Sequence, residues 1–161
     1  MNCKEKQIKL IQAFQACSNS RESIYHKIIE LGQTLPLFKE EWKREENLVR
    51  GCQSSLYLRT NQKGTVLKFT ASSDALISAG LAALLIRVYD GEEAEVIVRN
   101  PPNFLEEIGI PKALSPSRSN GLASLYTRMK QEALNTLITI RQRKDEDQSS
   151  KSTPDHRPPH T

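Results

Sequence analysis

The sequence predicts an α+β domain in which a small antiparallel β-sheet packs against several helices. Apolar residues recur at helical spacing near both ends of the chain and in its middle. Between the N-terminal and central helical segments, residues 55–71 alternate apolar and polar side chains around a turn-rich tetrapeptide, the pattern of a β-hairpin. A sheet with only these strands is marginally stable alone, so the hairpin must pack against the helices. A length of 161 residues fits one domain.

Two helices are predicted before the hairpin. The first covers about residues 4–17 and places Cys17 on its apolar face, while Cys3 lies in a fraying terminus. The second covers about residues 21–34, with Ser20 as its N-cap. The apolar faces contain Leu10, Ile11, Phe14 and Cys17 in the first helix and Ile24, Ile28, Leu31 and Leu35 in the second.

The hairpin is predicted from residue 55 onward. Residues 55–59 form its first strand, residues 61–64 contain the turn, and Leu67, Phe69 and Ala71 alternate on the return strand.

The central helix is predicted over residues 75–89, with Asp74 as its cap. Its apolar residues span a wide arc, which indicates the core of the domain. A glycine inside a helix costs about 1 kcal/mol relative to alanine, so Gly80 indicates a close packing contact.

Shorter elements and a long final helix follow. We predict short helices over residues 92–98 and 103–108, with Gly109 as the C-cap of the second. Residues 115–117 form a turn, and the final helix starts at Ser119 or Asn120. Its apolar stripe contains Leu122, Leu125, Tyr126, Met129, Ala133 and Leu137.

The apolar pattern ends at about residue 139. Residues 1–139 are therefore predicted to form the domain, and residues 140–161 a disordered polar tail that contains His156 and His160.

Composition excludes several classes of function. The net charge of +4 and the pI of about 9.0 come from interspersed acids and bases, without the basic stripe of a nucleic-acid-binding protein. The three cysteines have no metal-ligand spacing, so neither a zinc nor an iron–sulfur site is expected. Their odd number fits a reducing compartment, and we expect a cytoplasmic protein. No apolar run reaches the length of a membrane span.

The tetrapeptide Gly51-Cys52-Gln53-Ser54 lies between a predicted loop, residues 44–51, and the first strand. Two interpretations are open. In one, Cys52 is a small buried residue at the start of a strand. In the other, its sulfur points outward, and Arg50 together with neighbouring backbone N–H groups favours the thiolate.

Three segments of the chain resemble, in order, motifs of the SufE family of sulfur-acceptor proteins. Residues 46–54 resemble its active loop, residues 73–85 its central helix, and residues 114–122 the turn before its last helix. The resemblance covers roughly residues 5–138. The chain departs from it at Leu48, where the family often has a basic residue, and at Tyr57, where tryptophan is frequent. The resemblance implies a fold shared with iron–sulfur scaffold proteins of the IscU type.

The resemblance also implies a function. Cys52 would accept sulfane sulfur from a pyridoxal-phosphate-dependent cysteine desulfurase, stimulate that enzyme, and pass the sulfur to an iron–sulfur scaffold protein. The pyridoxal phosphate would belong to the desulfurase, so no cofactor is expected here, and the chain would not be an enzyme on its own. The residues expected to support Cys52 are Gly51, Gln53, Ser54, Asn47 and Arg118.

Two other functions remain open from the sequence. The chain could be a non-covalent docking or regulatory module of a desulfurase, with Cys52 structural. It could also be a stand-alone thiol enzyme, which needs a base such as His26 near the sulfur. Since water exposes a persulfide to reduction and oxidation, a carrier is expected to fold Cys52 over an apolar pocket formed by the hairpin and the central helix. The loop would then open when the desulfurase docks.

Overall fold

The computed structural model describes residues 1–17 and 20–151 of the chain. Its order along the chain is helices, a β-hairpin, a central helix, and further helices, so the predicted α+β class is confirmed. The elements are α1 (Cys3–Gln15), α2 (Arg21–Gly32), β1 (Leu56–Lys63), β2 (Val66–Ser73), α3 (Leu76–Tyr89), β3 (Glu92–Glu93), α4 (Ala94–Arg99), α5 (Phe104–Ile108), α6 (Ile110–Ala113) and α7 (Pro116–Lys151). Two 3₁₀ turns, Glu40–Trp42 and Glu45–Asn47, lie between α2 and β1.

The hairpin forms the main part of an antiparallel sheet with strand order β1-β2-β3. Lys63 pairs with Val66, which leaves a two-residue loop that begins at Gly64. Gly64 has a φ of 61°, a backbone conformation that favours glycine. The turn therefore lies later than predicted, and β1 is longer. The apolar side chains of the two strands alternate into the core as predicted: Leu56, Leu58, Leu67, Phe69 and Ala71.

The third strand was missed by the sequence analysis. Glu92 and Glu93 pair with Leu67 and Val66 at the start of β2, and only from Ala94 does the predicted short helix begin. A strand of two residues is too short to show an alternating pattern.

The central helix α3 packs between α2, β2 and α7. It crosses α2 at two facing glycines, Gly32 and Gly80. A Cβ on Gly80 would overlap the carbonyl oxygen of Ile28, and a Cβ on Gly32 would lie 2.8 Å from the backbone nitrogen of Gly80. The predicted close contact at Gly80 is thus confirmed, because only glycine lets the two helix backbones approach so closely.

Two of the three predicted caps are confirmed. Ser20 Oγ accepts a hydrogen bond from Ser23 N (3.1 Å), and Gly109 ends α5 in the left-handed region with φ 85°. The cap at Asp74 is wrong. Ala75 occupies the N-cap position of α3 without a side-chain cap, and its N–H donates to Ser73 Oγ at 3.2 Å.

Neither Cys3 nor Cys17 has the environment predicted for it. Cys3 is buried with 3% exposure, since α1 begins at this residue and Asn2 caps it by accepting a hydrogen bond from Glu5 N. Cys17 lies beyond Gln15, the last residue of α1, and is half-buried. The helical spacing that placed it in the core does not apply past the end of the helix.

The final helix α7 begins at Pro116, inside the predicted turn. Proline is tolerated in the first turn of a helix because its missing N–H has no helical partner there. The predicted apolar stripe of α7 does face the core.

The helix also continues past residue 139, where the apolar pattern ends. Residues 141–150 are helical and exposed, so they extend the helix without packing on the domain. This differs from the tail predicted over residues 140–161, because the end of an apolar stripe marks the end of packing and not of the helix. Residues 152–161, with His156 and His160, lie outside the described residues. No helix in the described part of the chain has the length and apolar content needed to cross a bilayer.

Candidate functional site around Cys52

Cys52 lies on a loop between the second 3₁₀ turn and β1. We define the Cys52 loop as residues 50–55. Its base is closed by a hydrogen bond from Val49 N to Leu56 O (2.8 Å) and by an antiparallel bridge between Leu48 and Tyr57. The two positions at which the chain departs from the SufE motifs are thus partners in one bridge.

The thiol of Cys52 is half-buried and turned toward the final helix. Its Sγ donates to Gly121 O of α7 at 3.6 Å. A Cβ on Gly121 would lie 3.3 Å from this sulfur. The absence of a side chain at Gly121 is therefore what lets the sulfur rest against the helix backbone.

A cavity of about 200 Å³ opens beside Cys52. It is lined by the Cys52 loop, β1, the start of α3 and the start of α7. Four of the lining side chains are leucines that are at most 6% exposed: Leu56, Leu81, Leu122 and Leu125. The hairpin and the central helix both contribute, as expected for a shielding pocket. The final helix contributes as well, which the sequence analysis did not foresee.

Burial raises the pKa of the Cys52 thiol. This corrects the expectation that Arg50 favours the thiolate. Arg50 points away into solvent and pairs with Glu45, with 3.5 Å between Nη2 and Oε1. In this closed arrangement Cys52 is held mainly as the thiol, which is a weaker nucleophile than the thiolate.

Two features of the structure favour glycine at position 51. Its φ of 93° lies in the left-handed region, which side-chain-bearing residues rarely adopt. A Cβ there would also collide with Ser124 Oγ of α7. This glycine therefore lets the loop lie close to the protein's own helix α7.

The other predicted site residues differ in how closely they approach the cavity. Ser54 lines it and shares a hydrogen bond with Ser78 of α3 (2.6 Å), which ties the end of the loop to that helix. Asn47 does not line it, but its Nδ2 donates to Trp42 O at 2.7 Å and closes the preceding turn. Gln53 lines the cavity with an exposed side chain.

Arg118 also lines the cavity and is exposed. Within residues 1–17 and 20–151, its guanidinium forms no hydrogen bond or ion pair. It is therefore available to an anion at the mouth of the cavity.

Three residues of α7 that the sequence analysis missed contact the Cys52 loop or the segment before it. Gly121 meets the sulfur, Ser124 meets Gly51, and Arg128 donates to the backbone of Glu46 and Leu48. Their spacing of three and four residues places them on one face of the helix. We call this set the loop-facing stripe of α7. Gly121 in the interior of a helix was a signal available in the sequence.

Residues that a stand-alone thiol enzyme or a metal site would need are not gathered here. His26 is exposed on α2 and is not among the residues that line the Cys52 cavity. In the described part of the chain, no group of three or more His, Cys, Asp or Glu side chains is arranged to hold a metal ion.

Comparison with known proteins places these features in a family. The SufE family model, described as an Fe-S metabolism associated domain, matches residues 8–133. The chain belongs to the SufE family. The matched range contains Cys52, the lining of its cavity and the whole loop-facing stripe of α7.

Individual SufE-like relatives agree with this assignment. An uncharacterized SufE-like protein of Rhizobium etli is 38% identical over 117 residues, which cover 70% of this chain and 79% of the relative. One of Synechocystis is 31% identical over 126 residues, covering 78% of this chain and 79% of the relative. SufE-like protein 1 of Arabidopsis thaliana, named chloroplastic/mitochondrial, is 29% identical over 147 residues, which are 90% of this chain but 39% of that protein.

A solved structure has the same fold. The solution structure of a hypothetical protein from Thermus thermophilus superposes with a TM-score of 0.68 at 20% identity, covering 83% of this chain and 96% of that one. The SufE fold described here is thus an α+β fold also observed by experiment.

Proposed function

We propose that this SufE-family protein accepts a sulfane sulfur on Cys52 from a pyridoxal-phosphate-dependent cysteine desulfurase, stimulates that enzyme, and passes the sulfur to an iron–sulfur scaffold protein. The observation that carries the proposal is the position of Cys52, a thiol on a loop beside a cavity that is lined by both leucine and polar side chains. The family's association with Fe–S metabolism supports the direction of transfer.

The chemistry is a thiol exchange that needs no oxidant. The Cys52 thiolate attacks the outer sulfur of the desulfurase persulfide, and a new S–S bond forms on Cys52. The S–S bond to the desulfurase cysteine breaks, and the electron pair leaves with that cysteine as a thiolate. The outer sulfur keeps its proton, so Cys52 becomes a persulfide. Attack by a third thiolate on the same outer sulfur later regenerates the Cys52 thiolate.

The cavity supports a carrier role because it offers space for the added atom. A volume of about 200 Å³ is several times the roughly 30 Å³ that one water molecule occupies in the liquid. An outer sulfur turned into this cavity would lie beside leucine side chains and be less exposed to solvent than one on an open loop. Arg118 at the mouth is the cation that would contact a persulfide anion or the docked desulfurase.

The raised pKa of Cys52 fits the same scheme. In the closed loop the thiol is protonated and weakly reactive toward small molecules. Opening of the loop on the desulfurase removes the burial that raises the pKa, so the thiolate fraction of Cys52 rises where the persulfide is present. Neither a base nor a cofactor of this chain is required, and we propose that it has no enzymatic activity of its own.

We also propose that the protein works in a reducing compartment, the cytoplasm. All three cysteines are free, as a thiol carrier requires. Nucleic acid and membranes are not proposed as partners.

The test is the mass of the intact protein after incubation with a cysteine desulfurase and L-cysteine. The native chain and a Cys17→Ser control are expected to gain the mass of one sulfur, mapped to Cys52, while Cys52→Ser gains none and no longer stimulates the enzyme. If Cys52→Ser keeps the stimulation, the protein is a non-covalent docking module and the proposal is wrong.

A further inference from the structure

We infer that Arg128 is a positioning residue that holds the Cys52 loop closed against α7 and thereby sets the fraction of the protein in which the Cys52 thiol is accessible. The effect of Arg128 on sulfur transfer rests on the proposed function, whereas its control of access to the Cys52 thiol does not.

The hydrogen bonds of Arg128 join α7 to the segment that leads into the Cys52 loop. Its Nη2 donates to Glu46 O, and its Nη1 lies 3.4 Å from Leu48 O. Its Nε donates to Glu132 Oε1 at 3.1 Å, one turn further along α7. One side chain thus bonds two backbone carbonyls that lie 82 and 80 residues away in the sequence.

The guanidinium suits this task because its N–H groups form a rigid planar fork. Two of its nitrogens face the two carbonyls while the third is held by Glu132, which fixes the orientation of the fork. The side chain is only 28% exposed, so water competes incompletely for these bonds. A lysine at this position would keep the charge but present a single ammonium, which cannot form the same set.

The position of these bonds makes them relevant to Cys52. Leu48 is the residue that bridges Tyr57, and the next residue, Val49, closes the base of the loop. The other two members of the loop-facing stripe contact Gly51 and Cys52 only by packing and by a weak S–H contact. Arg128 therefore supplies the polar attachment between the helix and this side of the loop.

The first experiment measures alkylation of the free protein by iodoacetamide, followed residue by residue by mass spectrometry of peptides. Loss of one hydrogen bond to a charged group corresponds to about a tenfold shift in an equilibrium. We therefore expect Arg128→Ala, which removes two such bonds, to alkylate Cys52 at least about tenfold faster than the native chain, and Arg128→Lys to fall between them. Glu132→Ala, which keeps the arginine but frees its orientation, is also expected to be faster than the native chain.

Two controls separate loop opening from general unfolding. Lys130→Ala removes the same charge from an exposed position of α7 and is expected to match the native rate. Cys3 is buried in the core and reports general unfolding, so its alkylation is expected to stay slow in every variant. The inference is overturned if Cys52 alkylates at the native rate in both Arg128→Lys and Glu132→Ala, or if Cys3 accelerates in parallel with Cys52.

The second experiment titrates the protein into a reaction of a cysteine desulfurase with L-cysteine. If the enzyme captures the open loop, Arg128→Ala lowers the protein concentration at half-maximal stimulation and leaves the maximal rate unchanged. A change in the maximal rate alone would contradict this role. If no variant and not even the native chain stimulates the enzyme, the proposed function fails, while the alkylation result still decides the inference about Arg128.

Discussion

At the scale of single residues, the reactivity of Cys52 depends more on its burial than on neighbouring charge. The half-buried sulfur meets a backbone carbonyl, Gly121 O, and the cation expected to activate it, Arg50, is paired with Glu45 in solvent. A carbonyl accepts a hydrogen bond from the thiol and not from the thiolate, so this contact favours the protonated form. The closed site thus suppresses the very species that the proposed reaction needs, which makes opening part of the mechanism.

The pH dependence of Cys52 alkylation tests this account. Burial raises the pKa of the thiol above its ordinary value of 9.0, so the folded chain holds this proton more tightly than the unfolded chain. The contribution of the buried Cys52 thiol to the free energy of unfolding is complete at pH values below the pKa of this thiol in the unfolded chain. It is lost as the pH rises through the pKa of the thiol in the folded chain. We expect the alkylation rate of Cys52 in the folded chain to reach its midpoint at a higher pH than in urea-unfolded chain.

The measurement must be specific to Cys52, because burial also raises the pKa of Cys3 and Tyr126. Peptide mass spectrometry of the alkylated chain provides this resolution. A folded-state midpoint at or below that of the unfolded chain would mean that some group of the protein activates the thiol in the closed state.

At the scale of elements, the contact between the Cys52 loop and α7 defines the site. The apolar stripe of α7 fixes the helix in the core, and the neighbouring loop-facing stripe presents Gly121, Ser124 and Arg128 to the loop. One helix therefore provides a wall of the cavity, the partner of the sulfur and the attachment of the loop.

Gly51→Ala tests how closely the loop and the helix must approach. Alanine in the left-handed region costs about 1–2 kcal/mol, and at position 51 a collision with Ser124 Oγ is added. We expect the substitution to lower the free energy of unfolding in urea and to accelerate Cys52 alkylation. Gly109→Ala is the matched control, since its φ of 85° is similar but no atom lies within 4 Å of the added Cβ.

The control is expected to lose only the cost of the backbone conformation and to leave Cys52 alkylation at the native rate. If both variants lose the same free energy and neither changes the reactivity of Cys52, the approach of Gly51 to α7 does not hold the loop.

At the scale of the whole molecule, the sequence predicted the elements that have a long periodic pattern. The hairpin, the central helix and the apolar stripe of α7 are each long enough for their period to identify the element and its buried face. β3 and α6, with two and four residues, are too short for any period and were missed. Helix ends were predicted less accurately than helix faces, as Cys17 and Asp74 show. The end of a helix depends on its capping residues and not on the period of its apolar residues.

The candidate site could be predicted only in part, because it combines segments that are distant in the sequence. The motif around Cys52 could point to the thiol and its glycine, since both lie in one short segment. The cover on the thiol comes from α7, which is distant in the sequence and meets the loop only after folding. No local pattern links Arg128 to Glu46 across 82 residues, so this contact needed the structure.

The exposure of side chains along α7 indicates where the packed domain ends. Residues 141–150 of α7 are exposed, whereas Ala133 and Thr136 are buried at 0% and 5% exposure. We expect a chain ending at residue 140 to keep its free energy of unfolding in urea and its acceptance of sulfur on Cys52, because the removed side chains that the structure describes, those of residues 141–150, are exposed. A chain ending at residue 132 loses buried apolar surface of α7 and the hydrogen bond from Thr136 to Gln62, and is expected to unfold at clearly lower urea concentration. Were the chain ending at residue 140 to lose stability as well, the exposed part of α7 would contribute to the domain through contacts that its exposure does not indicate.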